Sequence, residues 1–184
     1  MLTKEKITKN AQKFNATGIK YGVVNDDLLE LLGVKFITAP CTGLETLYGA
    51  YEGGLINHIL ITTKYAVFIN ENLPEDKQVP LEPLIRVCLL HQIGKTPMFV
   101  PQTSKWHNEN KGEMYKFDED ILSFKTGERS VYYALKSGIK LTEDEVYAMH
   151  NYASDFGNSK MTHLGERIAA IVNSAISIAI IAQK

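Results

Sequence analysis

Cysteine is scarce in this sequence, and neither sign of charge is in excess. The 184 residues include only two cysteines, Cys41 and Cys88, which excludes a disulfide-stabilised scaffold. Twenty Lys and Arg residues stand against 21 Asp and Glu residues, so the formal net charge is −1. Proteins that bind nucleic acid usually carry a basic excess or a basic stripe. The composition therefore gives no nucleic-acid signature.

Long hydrophobic runs are also missing. The most apolar stretch, residues 168–182, is interrupted by Asn173, Ser174 and Ser177, whereas a membrane span needs about 20 predominantly apolar residues. We therefore expect no membrane span and predict a terminal helix that is buried on most sides. The N-terminal residues are charged and lack the apolar core of a signal peptide. Together these features predict a cytoplasmic protein with two free thiols.

Strand signals are nearly absent, and helix signals follow one another along the chain. Residues 34–38 could form a short extended piece, but no nearby segment alternates in a way that would pair with it. Capping residues, terminal glycines and apolar periodicity predict helices over residues 3–14, 28–32, 40–51, 55–70, 80–92, 127–137 and 162–182. A further helix starts at the capping box of Thr142 and Glu145. The predicted fold class is all-α, in a single domain.

Residues 95–120 break this helical pattern. They contain two prolines, a glycine and scattered charges, and structureless loops longer than about 15 residues are uncommon and often functional. We predict an irregular excursion that lies over the mouth of a cleft. Its single large aromatic residue, Trp106, is expected to be partly buried against the body of the protein.

Two of the five histidines, His58 and His91, lie on consecutive predicted helices. Neutral imidazole is a common metal ligand, and antiparallel neighbouring helices could bring both rings into one pocket. The surrounding segments, 52–58 (EGGLINH) and 89–95 (LLHQIGK), strongly resemble the two hallmark segments of the HD-domain phosphohydrolase superfamily. In that family the second segment reads Leu-Leu-His-Asp-Ile-Gly-Lys. Residues 127–131 and 141–145 look like stretches of a bacterial and phage subgroup.

The resemblance covers residues 51–184 and implies an HD-type helical bundle over that range. Residues 1–50 lie outside it and are predicted to form a helical extension that packs on the core. In the family, a His, a His-Asp pair and a distant Asp hold a divalent metal, which activates a water that attacks a phosphate ester. The resemblance implies a vestigial pocket in this chain made of His58, His91, Gln92, Lys95, Thr126, Glu128, Arg129 and Tyr152.

The match departs from the family where the chemistry is done. Gln92 replaces the Asp of the pair, Thr126 and Tyr152 stand at two expected histidines, and Ala175 stands at the distant Asp. A hydrolytic divalent metal needs carboxylate oxygens and partial charge balance. The expectation is therefore that no metal or other cofactor is bound. The remaining weak metal candidates are His58, His91, His150 and Asp155.

Three functions remain open at this point. The first is a degenerate, catalytically inactive HD-like protein that acts as a binding or structural module. The second is a phosphohydrolase for nucleotides or phosphodiesters, with a divalent metal in a reduced site. The third is a metal-free binder of a nucleotide or phosphate through Lys95 and Arg129. A protein partner, a homo-oligomer, and a virion or host-cytoplasm location for a phage protein are compatible with the first.

Overall fold

The computed structural model of the protein describes residues 1–156 and 160–183. Within these residues the chain forms a mostly helical single domain with eight α-helices and one small hairpin. The helices are α1 (Lys4–Lys20), α2 (Asp26–Thr38), α3 (Gly54–Glu71), α4 (Leu81–Leu90), α5 (Lys105–Lys111), α6 (Thr126–Lys136), α7 (Glu143–Asn151) and α8 (Leu164–Ala182). The hairpin strands are β1 (Phe99–Pro101) and β2 (Tyr115–Phe117), and short 3-10 turns cover Glu75–Lys77 and Ile93–Lys95.

Side-chain caps start several helices where the sequence predicts them. Thr3 accepts a hydrogen bond from the backbone N–H of Lys6, and Asn25 accepts one from Leu28. At α7, Thr142 and Glu145 form the reciprocal capping box. Each such cap satisfies a backbone donor that the helix itself leaves free, and contributes about 1 kcal/mol.

The helical core is built around α3 and α8, which pack against each other over their lengths. They run antiparallel, because Asn57 near the start of α3 contacts Gln183 just after α8. Helices α4 and α7 cover other parts of α8, and α1 and α2 pack on α3. Phe14 and Phe36 from the first two helices belong to the same hydrophobic core as the rest. Residues 1–50 therefore contribute side chains to the core of the single domain. The boundary at residue 50 stays a prediction.

The prediction that the last helix is buried on most sides is wrong. One face of α8 is buried against α3 and α7, but Ile178 and Ile181 are exposed, the latter by 75%. The reason is position: α8 lies at the side of the bundle, where neighbours cover only part of its surface. By length and apolar content this helix would also suit a membrane, a property that it shares with core helices of soluble proteins.

Residues 40–51 are not the predicted helix. They form turns and one isolated bridge from Leu44 to Glu113. Gly49 has a φ of 66°, and its carbonyl accepts a hydrogen bond from the Cys41 backbone N–H at 2.8 Å. Any side chain at Gly49 would also strike the Cys41 Cβ. The loop is thus closed by contacts between its two ends, which helical periodicity does not encode.

Residues 34–38 are helical, so the expectation of an extended piece there is wrong. Gly33 takes a φ of 59° and kinks α2, but the helix resumes beyond it. Glycine adopts this left-handed conformation without a steric penalty. Gly33 therefore bends the helix where the sequence predicts its end. Phe36, in the second half of α2, is buried in the core.

The excursion after α4 is more regular than predicted. Strands β1 and β2 pair antiparallel with Phe99 opposite Phe117, and α5 connects them. The hairpin is attached to the body through Gly43, whose carbonyl accepts from the N–H groups of Met114 and Tyr115. The prediction that Trp106 is partly buried against the body is wrong. Its side chain is 57% exposed, and its ring contacts His107 and Lys111 on its own short helix.

Candidate functional site

The two histidines of the resemblance are placed by the ends of two core helices. His58 lies in the second turn of α3, which starts at the tight contact between Gly54 and the Gly49 carbonyl. His91 follows the last residue of α4. Both imidazoles are fully buried and interact electrostatically with Lys95, and His58 also with His91. We call the surrounding group the Lys95 cluster: Cys41, Tyr48, His58, His91, Gln92, Lys95 and Tyr152.

The turn that carries Lys95 is fixed by α6. Ser130 accepts a hydrogen bond from the Gly94 N–H at 2.9 Å and donates one to the His91 carbonyl at 3.0 Å. A side chain at Gly94 would come within 2.5 Å of the Thr126 carbonyl oxygen. Only glycine permits this approach, so the turn from His91 to Lys95 is held in one position against α6.

Lys95 supplies the positive charge of the cluster. Its Nζ donates to the Cys41 carbonyl at 3.2 Å and lies 3.6 Å from the Cys41 sulfur. The same nitrogen is 5.8 Å from the centre of the Tyr48 ring. Burial lowers the pKa of Lys95, but interactions with Cys41, Tyr48 and Tyr152 outweigh burial and raise the pKa above its usual value. The salt bridges among the described residues do not include Lys95.

His58 is neutral and fully enclosed. Its Nδ1 lies 2.8 Å from the amide nitrogen of Gln183, so Nδ1 is the acceptor and Nε2 carries the proton. The Tyr48 ring packs on the imidazole with a 4.5 Å separation of ring centres. Burial, together with Lys95 and His91, lowers the pKa of His58 to about 2.

One ring nitrogen of His91 has a hydrogen-bond partner, and the other has none among the described residues. Nδ1 donates to the Cys88 carbonyl at 2.8 Å, which leaves Nε2 as an acceptor. Nε2 is buried and has no hydrogen-bond partner within residues 1–156 and 160–183. Tyr152 packs edge-on against the ring, with 4.9 Å between ring centres. Burial lowers the pKa of His91 to about 4.

Gln92, at the position of the family's aspartate, makes a different contact. Its amide oxygen accepts a hydrogen bond from the Cys41 thiol at 3.4 Å. Burial raises the pKa of that thiol, with Lys95 and Tyr48 acting against it, so the thiol keeps its proton. Gln92 and Cys41 thus form a neutral pair that links the 40–51 loop to the end of α4.

The residues of the vestigial pocket on α6 have other partners. Thr126 donates to the Met98 sulfur at 3.7 Å and also interacts with Tyr152. Glu128 accepts from the backbone N–H of Lys125 at the start of α6. Arg129 is buried and donates to the carbonyls of Gly94 and Leu122, with its guanidinium over the Phe124 ring. These contacts hold the chain on both sides of α6. They also occupy the Thr126 hydroxyl and the Arg129 guanidinium, the two donors on α6 that a phosphate would need.

The remaining metal candidates are exposed. His150 lies on the outer side of α7, and Asp155 lies beyond that helix. Ala175 is fully buried on α8 and has no ligating atom. In the part of the chain that the structure describes, no three His, Cys, Asp or Glu side chains are grouped so that they could hold a metal ion. His58 and His91 offer two nitrogens beside a lysine ammonium, so the residues present do not fit a divalent metal.

Sequence reasoning missed three members of this environment. Cys41 has no histidine or second cysteine near it in sequence, Tyr48 lies within the predicted helix over residues 40–51, and Gln183 belongs to none of the motifs. Cys41 and Gln92 are 51 positions apart, and Gln183 and His58 are 125 apart. Spacing along the chain gives no signal for such contacts.

No family model, curated protein or solved structure matches this chain. The geometry of the Lys95 cluster therefore has to carry the functional argument.

The two buried imidazoles predict a pH-dependent stability. Because folding lowers the pKa of both from about 6.5, the unfolded chain binds more protons than the folded chain below that pH. Stability is therefore full above about pH 6.5 and falls as the pH drops toward 4, with each histidine contributing up to about 1.4 kcal/mol per pH unit. Urea unfolding between about pH 7.5 and about pH 5 measures this slope.

His58→Gln should reduce that slope, and His150→Gln is the matched control because His150 is exposed on α7. Equal slopes in His58→Gln and in the unmodified protein would show that His58 is protonated in the folded state as easily as in the unfolded chain.

Proposed function

We propose that this chain is a catalytically inactive HD-like helical protein that acts as a structural or binding module. Support comes from the segments around His58 and His91, which resemble the family hallmarks, and from the way both histidines end up in one buried cluster. The observation that carries the proposal is the charge balance of that cluster. A lysine, two neutral imidazoles, an amide and a thiol lie where a hydrolase needs carboxylates.

The contacts of the cluster favour a structural role. Lys95 and Gln92 both bind Cys41, which ties the 40–51 loop to the end of α4. Tyr48 covers His58, and Tyr152 at the end of α7 covers His91. Buried polar groups that are mutually hydrogen-bonded specify one arrangement of the elements around them. In this proposal, side-chain contacts join the helices at the place where a metal joins them in the family.

Anion binding is the second candidate, and one observation favours it. Lys95 has no carboxylate partner among the described residues, and His91 Nε2 lacks a partner there. A phosphate group could take the ammonium as a point charge. Arg129 would not assist, since carbonyl groups already hold it.

Metal content and hydrolysis distinguish these functions. We expect protein purified without chelator to hold no stoichiometric transition metal, and to show no turnover of a nucleotide and phosphodiester panel with added Mn or Ni. Gln92→Asp alone should create no activity, because Thr126, Tyr152 and Ala175 still supply no carboxylate or imidazole.

Turnover that disappears in both His58→Ala and His91→Ala would overturn the inactive assignment and favour the metal-dependent hydrolase. A rise in Tm with inorganic phosphate or a nucleotide that is lost in Lys95→Gln, without turnover, would favour the anion binder. If neither response is observed, the structural module remains the supported function.

A further inference from the structure

A separate cavity lies at the opposite end of the α3–α8 pair from His58. It has a volume of about 280 Å³ and lies between the end of α3 and the start of α8. Its walls are apolar and are formed by Ile69, Leu73, Ala170 and Ile171. Small-molecule sites are typically mostly apolar cavities of roughly 300–1,000 Å³ with a few polar groups. The volume of this cavity is just below that range.

Arg167 on α8 lines the cavity and has an unsatisfied donor. Its Nε is shielded from solvent and has no hydrogen-bond partner in residues 1–156 and 160–183. Among the same residues, Arg167 forms no salt bridge. A buried N–H without a partner costs the full desolvation of that group. Because Nε is shielded, a ligand in the cavity would instead accept hydrogen bonds from the terminal guanidinium nitrogens of Arg167, which have no partner among the described residues.

A second cation lies on the lining of the same cavity. Lys77 contributes to the cavity from the 3-10 turn after α3. Its ammonium is 2.7 Å from the Asp76 carboxylate, and both side chains are largely exposed. This pair is net neutral, so the positive charge at the cavity comes from Arg167. Arg167 also lies in the first turn of α8, where the helix dipole favours negative charge.

We propose that this cavity binds a short, straight-chain aliphatic carboxylate. The apolar walls take the hydrocarbon chain, and the carboxylate accepts hydrogen bonds from the two terminal nitrogens of the Arg167 guanidinium. Guanidinium and carboxylate groups match in a planar, two-bond arrangement, which an alcohol or a cationic head group cannot form. The limited volume favours a chain of medium length over a long lipid tail.

Octanoate is the probe for this proposal, used as a free monomer in isothermal titration calorimetry and in heteronuclear NMR. We expect saturable binding with shift changes at Ile69, Ala170 and Ile171. Octanol and octylammonium, which share the chain, should bind at least about tenfold more weakly because the charged hydrogen bonds to Arg167 are lost. Arg167→Gln should weaken octanoate binding to a similar extent.

Two variants keep the test specific. Lys13→Gln removes one positive charge from an exposed position on α1 and should leave octanoate binding unchanged. Ala170→Phe fills the cavity without altering its charge and should abolish binding. Absence of octanoate binding, or binding that Arg167→Gln leaves intact, overturns the proposal. Binding to anionic vesicles without binding of free octanoate also overturns it, because it assigns the basic groups to a membrane surface.

Discussion

Replacing Arg86 by methionine should lower the free energy of unfolding by about 3–5 kcal/mol, the range found when one partner of a buried ion pair is removed. The Arg86 guanidinium is paired with the Glu145 carboxylate and donates to the carbonyls of Tyr21 and Lys140. Glu145 is only 1% exposed. The substitution leaves its charge buried without a counter-ion and leaves two carbonyl groups without their donor.

Urea unfolding at neutral pH measures the loss, read from the midpoint at constant slope. Lys13→Met is the control, since surface substitutions without special contacts stay within about 0.5 kcal/mol. The double variant Arg86→Met/Glu145→Gln should be more stable than Arg86→Met alone, because glutamine removes the charge and can still accept from the Thr142 N–H as Glu145 does. A loss below about 1 kcal/mol for Arg86→Met would show that the Arg86–Glu145 ion pair contributes no more to stability than an exposed pair does.

Gly127→Ala should destabilise the protein by about 3 kcal/mol, at the upper end for overpacked sites. A Cβ at this position would lie 2.0 Å from the Met149 carbonyl oxygen and 3.3 Å from the His150 Cα. These are backbone atoms, so α6 and α7 must move apart. Alanine is the better helix former by up to about 1 kcal/mol, which makes the sign of the result a direct test of the steric contact.

Gly138→Ala is the matched control at the other end of α6. Its Cβ would meet no atom within 4 Å, and only the φ of 72° opposes it, at about 1–2 kcal/mol. In NMR spectra, Gly127→Ala should shift the signals of α7 up to Tyr152, whereas Gly138→Ala should not. A stabilised Gly127→Ala variant would contradict the close packing of α6 on α7.

Helix positions were predictable where the signal is local. Thr3, Asn25 and the Thr142–Glu145 box begin helices because each side chain satisfies a backbone donor three residues away. The same local logic failed at Gly33, which bends α2 without ending it. It failed again over residues 40–51, whose shape depends on how Cys41 and Gly49 meet.

The hairpin and the exposure of Trp106 required the tertiary structure. Phe99 on β1 pairs with Phe117 on β2, and α5 lies between the two strands in sequence. Backbone hydrogen bonds to Gly43 attach the hairpin to the body. A pairing between separated residues depends on the loop that closes it, which composition does not specify. Apolar content alone overstated the burial of α8, because tertiary packing decides how much of a helix its neighbours cover.

The sequence by itself determined the helical class, most helix starts, and the presence of His58 and His91 at the ends of two core helices. Only the tertiary structure decided that Cys41 and Lys95 meet beside Gln92. Local hydrogen bonds set the first group of features, whereas desolvation in the packed interior decides which buried polar atoms find partners.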